Sequence, residues 1–377
     1  MIDHISPSKF ITPSGENFQI NKRDFDNVQY TNTLISHEVP LSLLEMSRWF
    51  NDYDYALVHL FENYPQYFDF YKKSVEMGRM VILDNSLYEL GEAFDMAKYA
   101  EWILKLRPTH YIIPDTFWDS DATIKQAMMW MSEYGWKIKK EIPGIKIIGV
   151  AQGSSYQDIK KIYKFLETFC DVIAFTFKFS PKMQIDPDIN LTQWFDDTQV
   201  MYPCYEISGE SLSSEDKQAI CRYAVLWKLD QEGIINQSKE HHLLGLQNTT
   251  ALFQTCRFSW VTSIDTSNPI INGYLGNIYY FNEEIMNLPD KSHTWMISYI
   301  GNSGHPKPKL QLKDIFESLT PESPNWKLIL NDIKHNVREF REIVNPSNYS
   351  TILIGDRTMQ DDYIIDSMKD FLSEKIN

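Results

Sequence analysis

Cysteine is scarce in this sequence, with four residues in 377. No two of them form a CxC or CxxC pair, and both small disulfide-bonded domains and structural zinc sites need such clustering. We therefore expect neither a disulfide framework nor a structural zinc site. The four residues are Cys170, Cys204, Cys221 and Cys256.

Long apolar runs are also missing, because no stretch approaches the ~20 residues that a membrane-spanning helix requires. The polar start of the chain, residues 1–10, has neither the basic nor the apolar region of a signal peptide. Together these absences predict a cytoplasmic protein with no membrane partner.

Positive charge is in short supply, since 36 Lys and Arg residues stand against 51 Asp and Glu and give a net charge of -15. Proteins bind nucleic acid largely by neutralising phosphates with Lys and Arg. A nucleic-acid partner would therefore have to meet a local basic patch. The candidate patches are Lys137, Lys139 and Lys140, then Lys160, Lys161 and Lys164, and finally Lys307 with Lys309.

The apolar residues, 43% of the chain, fall into short runs that alternate with longer amphipathic stretches. This alternation is typical of βα units, and about eight runs are present, as a closed barrel requires. We therefore predict the α/β class, as a (β/α)8 TIM barrel. Its strands should begin at Thr33, Ala56, Met80, Tyr111, Lys146, Val172, His242 and Trp260.

The spacing of these units is irregular once, between strands six and seven. A Pro- and Asp-rich loop from Ser180 precedes a predicted helix at residues 215–229 there, which indicates an insertion. The barrel pattern stops after about residue 290, and a later helix is predicted at residues 326–344. We therefore divide the chain into an N-terminal arm (1–30), a barrel domain (31–290) and a small, mainly helical C-terminal extension (291–377).

Two local signals predict helix ends. Ser155, with Asp158 three residues later, resembles a capping box, so the turn at Gln152 and Gly153 should lead directly into a helix. Gly135 follows a helical stretch and predicts its end.

Four of the predicted strands end on residues suited to handling a base or a sugar: Asp84, Asp115, Gln152 with Gly153, and Asp265. The strand C-termini of a barrel open onto one face, so these residues should converge on one pocket. Asp84 and Asp265 suit a double displacement at a sugar carbon, with one carboxylate as nucleophile and the other as general acid and base. The alternative is that each aspartate caps the helix after its strand.

The other two strand ends suit base recognition. Asp115 lies three residues before Trp118, so a carboxylate that can accept from a guanine-like N1–H and amino group adjoins an aromatic face for stacking. Gln152 offers a donor and an acceptor to a base, and Gly153 lets a ligand approach the backbone. A core or capping role for Asp115 and a turn role for Gln152 are the alternatives.

Five motifs in order resemble the tRNA-guanine transglycosylase superfamily. Residues 84–89 (DNSLYE) resemble its DSGG[FY]Q loop, and residues 149–153 (GVAQG) match its GxxQG motif. Residues 243–247 (LLGLQ) resemble its LMGVG motif, its nucleophile falls on Asp265, and its base-recognising acid falls on Asp115. These matches cover about half of the chain.

The resemblance implies a base exchange that needs no metal or other cofactor. Asp265 would attack C1′ of a guanosine nucleotide and expel guanine. Asp84 would then take a proton from a free 7-deazaguanine base, whose N9 restores the glycosidic bond.

The same resemblance assigns the residues that hold the base. Asp115 and Gln152 would bind its edge, with Tyr88 and Leu244 on its two faces. The remaining expected substrate-binding residues are Asn85, Gly153 and Gly245 from the matched motifs, and Trp118 at the barrel mouth.

Two departures from the tRNA enzymes shift the expected polymer toward DNA. Their CxCxxC zinc cluster is absent, and the glycine-rich end of strand six is replaced by AFTF at residues 174–177. The pattern is most similar in character to phage-type DNA 7-deazaguanine transglycosylases, which implies a DNA partner, with tRNA as the alternative, and the host cytoplasm if a phage encodes the chain. The identity of the 7-deazaguanine and the choice between monomer and homodimer stay open.

Two other function classes also stay open. His37 and His59, near the ends of strands one and two, could join Asp265 in a metal-dependent TIM-barrel hydrolase, although that class usually has an HxH pair on strand one. The adjacent His241 and His242 do not supply a ligand pair, because consecutive strand residues face opposite sides. The second class is a catalytically inactive base-binding module that keeps the barrel.

Overall fold

Eight short apolar segments form eight parallel strands in the computed structural model, which describes residues 33–48, 50–177, 179–189, 214–245, 258–281, 297–302 and 326–344. The strands are β1 (Leu34–His37), β2 (Asp54–Leu57), β3 (Val81–Asp84), β4 (His110–Ile112), β5 (Lys146–Ala151), β6 (Val172–Phe175), β7 (Glu240–Leu243) and β8 (Val261–Thr266). Around the sheet they follow the order β1-β8-β7-β6-β5-β4-β3-β2, and every neighbouring pair is parallel. The strands lie where the alternation predicts them, and the (β/α)8 TIM barrel is confirmed.

Helices accompany the strands along the described part of the chain. They are α1 (Leu44–Ser47), α2 (Pro65–Glu76), α3 (Leu87–Leu90), α4 (Met96–Leu106), α5 (Ser120–Trp130), α6 (Trp136–Glu141), α7 (Tyr156–Leu166), α8 (Ser214–Gln231), α9 (Asn268–Tyr274) and α10 (Trp326–Val344). Tyr99, Ile103 and Leu106 form the buried face of α4. The capping box of Ser155 and Asp158 is confirmed at the start of α7.

The predicted helix end at Gly135 is wrong. Met131–Gly135 form a π-helical turn that joins α5 to α6, so the chain continues as a helix. A Cβ atom at position 135 would lie 2.5 Å from the sulfur of Met131. The glycine therefore makes room for a packed side chain rather than ending the helix.

The seam between β1 and β2 is closed by hydrogen bonds that involve Asn51 and Asp52. The backbone N–H of Asp52 donates to Ile35 O at 2.9 Å, and Ile35 N–H donates back to the Asp52 carboxylate at 2.8 Å. Asn51 accepts from His37 N–H at 2.7 Å and donates to His37 O at 2.9 Å. Two side chains thus replace the strand pairing that joins the other neighbours.

Helix α10 packs over this seam. The guanidinium of Arg341 donates to Asp52 Oδ1 at 2.7 Å, and the ring of Phe340 contacts that of His37 with a centroid distance of 5.4 Å. A Cβ atom on Gly273 of α9 would lie 2.6 Å from the backbone of Ile333, so α9 and α10 approach very closely. The helix assigned to the predicted extension therefore packs against the barrel.

Other predicted segments fall partly or wholly outside the described residues. The arm at residues 1–30 lies outside them, as do residues 190–213 of the predicted insertion. The described part of that insertion contains a 3-10 helix (Pro181–Ile185) and α8. Residues 277–281 and 297–302 form a separate antiparallel pair, β9 (Asn277–Phe281) with β10 (Ile297–Asn302). Among the described helices, none combines the length and the apolar character needed to cross a bilayer.

The ion pair on the seam yields a stability prediction. Arg341 and Asp52 have side chains only 3% and 12% exposed, and removing one partner of a buried pair costs about 3–5 kcal/mol. We expect Arg341→Met to lower the free energy of unfolding by about that amount in urea denaturation. Lys98→Met is the control, because Lys98 and Glu62 are 59% and 41% exposed and should contribute less than about 1 kcal/mol. Equal losses in the two variants would contradict this assignment.

Candidate active site

Four of the predicted site residues lie at the C-terminal ends of the parallel strands. Asp84 ends β3, Asp265 lies near the end of β8, Gln152 follows β5, and Asp115 lies just beyond β4. Asp265, Asp115 and Gln152 are only 4%, 2% and 1% exposed, and Asp84 is half-buried. The barrel therefore gathers three carboxyl groups and an amide at one mouth.

Asp265 is oriented by donors from the neighbouring strand β7 and from the turn that follows it. His242 Nε2 lies 2.9 Å from Asp265 Oδ1, and the backbone N–H of Gly245 donates to both carboxylate oxygens at 3.2 Å. Hydrogen bonds to a charged group are strong and directional. They therefore restrict the rotation of the carboxyl group that the sequence suggests as nucleophile.

The turn that presents Gly245 to Asp265 depends on Arg222 of α8. Gly245 has a φ of 56°, a left-handed conformation that glycine adopts without strain. The buried guanidinium of Arg222 donates to Leu244 O at 2.7 Å and to Gly245 O at 3.0 Å. Burial lowers the pKa of Arg222 to about 9, against the opposing effect of the Asp265 charge. The helix in the insertion thus supports the site directly.

Asp84 occupies a different electrostatic setting. Burial raises the pKa of this carboxyl group to about 6, although hydrogen bonds from the Tyr55 hydroxyl and the Ser86 backbone N–H oppose the rise. The charge of Asp265 raises it further. Asp84 can therefore both hold and release a proton near neutral pH, as a general acid and base must.

Two further carboxyl groups that the sequence analysis missed stand beside this pair. Glu38 follows β1, its backbone N–H donates to Thr266 O at 3.2 Å, and its side chain interacts with that of Asp265. Burial, then the charges of Asp265, Glu89 and Asp84, raise the pKa of Glu38 well above its usual value. Burial and the charge of Asp84 raise the pKa of Glu89 to about 8. The surroundings of Glu38 therefore favour its protonated form, which can donate to Asp265.

Asp115, Asn85 and Gln152 form one buried network. Asn85 Nδ2 donates to Asp115 Oδ1 and Gln152 Nε2 donates to Asp115 Oδ2, both at 2.8 Å. Gln152 Oε1 accepts from the backbone N–H of Trp118 at 3.2 Å. Burial raises the pKa of Asp115 to about 7, while the two amide donors oppose this. Four predicted binding residues are therefore brought together.

The aromatic residues of the mouth are arranged differently from the predicted sandwich of Tyr88 and Leu244. Tyr88 is 53% exposed, and its ring meets Phe177 edge to face at a centroid distance of 5.0 Å. Phe177 also lies against Gly245, with ring atoms 3.0–3.1 Å from the place of a Cβ atom. Leu244 is half-buried against the core. Phe177, from the segment that replaces the glycine-rich motif, thus spans the two sides of the mouth.

Packing against α7 explains why residue 153 is a glycine, which the sequence did not reveal. A Cβ atom there would lie 2.7 Å from Asp158 Cβ and 3.1 Å from Ile159 in the first turn of α7. The glycine therefore lets α7 start immediately behind the β5 turn. Close approach of a ligand to this position stays a prediction.

His242 is the most informative residue that the sequence analysis left without a role. Strand register pairs His242 with Ser263, and Asp265 lies two residues further along the same face of β8. His241 faces the other way and meets the Tyr163 hydroxyl of α7 at 2.9 Å. The expectation that the two histidines face opposite sides is confirmed, and the pairing of β7 with β8 is the signal that locates His242.

The histidines suggested for a metal-dependent hydrolase do not meet in one place. His37 lies between the rings of Phe50 and Phe340, on the face of β1 toward α10, and burial lowers its pKa well below the usual value. His59 Nδ1 lies 2.8 Å from Ser86 Oγ. Within the described part of the chain, no group of three or more His, Cys, Asp or Glu side chains could hold a metal ion.

The suggested basic patches are mostly engaged elsewhere. Each lysine of the α7 patch has an acidic partner: Lys160 pairs with Glu232, Lys161 with Asp121 and Lys164 with Glu167. The last turn of α6, with Lys139 and Lys140, leads into the N-terminal end of β5 and therefore lies opposite the mouth. Lys307 and Lys309 lie outside the described residues.

The hydrogen bond from Tyr55 to Asp84 yields a titration prediction. The hydroxyl stabilises the ionised carboxylate, so Tyr55→Phe should raise the pKa of Asp84 above its value of about 6. Carboxyl ¹³C NMR would measure it, with the signal assigned through Asp84→Asn. Tyr71→Phe is the control, because the Tyr71 hydroxyl donates to the backbone O of Tyr55 and to no carboxylate. An unchanged or lowered midpoint in Tyr55→Phe would contradict the prediction.

No protein-family model matches this chain, and no curated protein matches it closely enough to count as a relative. The geometry of the mouth and the resemblance of its motifs are therefore the two grounds on which a function can be argued.

Proposed function

We propose that the protein replaces guanine in DNA with a 7-deazaguanine derivative, through a covalent bond between Asp265 and the deoxyribose. The observation that carries the proposal is the contrast between two neighbouring carboxyl groups. Asp265 is fixed by His242 and Gly245, whereas Asp84 has a pKa raised to about 6. A double displacement needs one oriented nucleophile and one group that exchanges a proton near neutral pH.

The first half-reaction breaks the bond between the sugar and guanine. A carboxylate oxygen of Asp265 attacks C1′, the C1′–N9 bond breaks, and its electron pair leaves with guanine. Asp84 in its acid form gives guanine the proton that neutralises it. The product is a glycosyl ester on Asp265 and an ionised Asp84.

The second half-reaction restores a glycosidic bond. Asp84 takes the N9 proton of the incoming 7-deazaguanine, N9 attacks C1′, and the ester bond breaks with its electrons returning to Asp265. Both carboxyl groups then have their starting protonation. Two displacements at one carbon retain the configuration of the sugar.

The network around Asp115 supports recognition of a guanine-like edge. A carboxylate that already accepts from Asn85 and Gln152 retains lone pairs for the N1–H and amino group of a base. The amide of Gln152 lies beside it and can meet an exocyclic oxygen. These groups are held before a ligand arrives, which reduces the entropy lost on binding.

The choice of DNA over tRNA is based on the sequence. The zinc-binding CxCxxC motif of the tRNA enzymes is absent, and only four cysteines occur in the chain. A guanine in duplex DNA has to leave the base stack to reach a barrel mouth, at a cost of a few kcal/mol, and single-stranded DNA lowers that cost. The proposal therefore favours exchange on single-stranded or locally opened DNA.

The test is exchange of radiolabelled guanine into double-stranded DNA, single-stranded DNA and tRNA, measured side by side. We expect label in DNA, and Asp265→Ala should abolish both exchange and the covalent protein–DNA adduct seen after denaturing quench. Asp119→Asn is the control, since Asp119 is an exposed cap of α5 near the same end of the barrel.

The possible outcomes of that experiment test the polymer, the nucleophile and the function separately. Label in tRNA alone would replace DNA by tRNA and leave the chemistry intact. Exchange that persists in Asp265→Ala would show that the nucleophile is wrong. No exchange by the wild-type protein on any of the three polymers would reject the transglycosylase function.

Base selectivity provides a second prediction. Asp115→Asn removes an acceptor for the base amino group, and a hydrogen bond to a charged group is worth about 1.5–3 kcal/mol. The preference for guanine over hypoxanthine, which lacks that amino group, should fall by about tenfold to a hundredfold in competitive exchange. An undiminished preference would mean that Asp115 does not read this edge.

A further inference from the structure

His242 is enclosed between two polar side chains of β8. Its Nε2 lies 2.9 Å from Asp265 Oδ1 and its Nδ1 lies 2.8 Å from Ser263 Oγ. The side chain is fully buried, and those of Ser263 and Asp265 are nearly so. Strand register sets this arrangement, because His242 and Ser263 are direct partners across β7 and β8.

The hydrogen-bonding capacity of these three groups excludes one form of the imidazole, the neutral tautomer in which Nε2 carries no hydrogen. An ionised carboxylate only accepts, so Nε2 has to carry the hydrogen in the bond to Asp265. Ser263 can donate its hydroxyl hydrogen to Nδ1, which leaves the ring neutral and both of its nitrogens satisfied. The opposite tautomer would place two acceptors, Nε2 and Oδ1, against each other.

Two tyrosine rings also pack against the imidazole. The Tyr55 ring stacks on His242 with a centroid distance of 6.1 Å and an interplanar angle of 14°, and Tyr53 meets it edge to face at 6.4 Å. The Tyr55 hydroxyl in turn donates to Asp84. The stack therefore connects the supports of the two carboxyl groups that the proposed exchange uses.

We propose that His242, held as the neutral Nε2–H tautomer by Ser263, is the positioning residue that orients Asp265 for attack on the sugar. The role in attack rests on the proposed function, whereas the tautomer does not. Oδ1 meets both His242 and the Gly245 N–H, whereas Oδ2 does not meet His242, so Oδ2 forms the bond to C1′. His242 keeps its proton throughout, since Oδ1 becomes the ester carbonyl oxygen and still accepts from Nε2–H.

The tautomer can be tested without any substrate. In ¹⁵N-histidine-labelled protein, the His242 signals, assigned through His242→Gln among the nine histidines, should show a protonated Nε2 and a bare Nδ1. Ser263→Ala removes the donor to Nδ1 and should shift the Nδ1 resonance or mix the two tautomers. A bare Nε2, a doubly protonated ring, or signals unchanged by Ser263→Ala would overturn the assignment.

The positioning role can be tested with two substitutions that separate hydrogen bonding from packing. His242→Phe keeps a ring for the stack on Tyr55 but has no donor, and kcat and covalent trapping should fall about 10- to 100-fold with KM little changed. His242→Gln keeps an N–H donor and should recover most of that loss. His241→Gln is the matched control, because this neighbouring histidine is equally buried but faces α7.

Thermal unfolding separates a positioning role from a structural one. If both His242 variants lose activity in proportion to their loss of Tm, or if His242→Phe keeps full kcat, the positioning role is wrong. If the wild-type protein exchanges no base, the proposed function and the positioning role in attack fail together, while the NMR result still decides the tautomer and the hydrogen bond to Asp265.

Discussion

The crowding of carboxyl groups in one buried mouth is the constraint on which the arrangement of this site depends. Each group that loses contact with water has to gain donors or keep its proton. Asp265 gains donors from β7, and Asp115 gains two amides. Asp84, Asp115 and Glu38 also bind protons more tightly, because burial and acidic neighbours raise their pKa values. Similar carboxyl groups therefore differ in how tightly they bind a proton, because each strand end places different neighbours beside them. The proposed base exchange needs such a difference.

Contacts that lie outside the mouth and close the barrel around β1 help to keep the carboxyl groups close together. Glu38 reaches Asp265 because β1 pairs with β8, where Ser36 and Asp265 are register partners and alternate residues share a face. The other edge of β1 is held by Asn51 and Asp52, and Asp52 is held in turn by Arg341 of α10. Helix α10 lies far along the chain and outside the mouth, yet it supports β1, the strand that leads to Glu38.

The sequence predicts the barrel and much of the mouth because both depend on local patterns. Alternation of apolar runs locates all eight strands, and the polar residue at each strand end identifies Asp84, Asp115, Gln152 and Asp265. Contacts between distant segments carry no such local signature. His242 acquires a role only through its register with Ser263, and Glu38 only through the pairing of β1 with β8. Gly135 is a local case: a glycine often follows the end of a helix, but this one makes room for the packed side chain of Met131.

Phe177 shows how a departure from the motif pattern that the sequence resembles changes the physical demands on the site. Where the resemblance leads one to expect glycines that open space for a base, this ring contacts Tyr88 and lies over Gly245. A base held between Tyr88 and Leu244 has to take space that Phe177 occupies. Separating an aromatic pair costs about 0.5–1.5 kcal/mol, whereas stacking a base on an aromatic side chain gains about 1–3 kcal/mol. The exchange of one contact for the other is therefore balanced or favourable, so the ring is compatible with base entry.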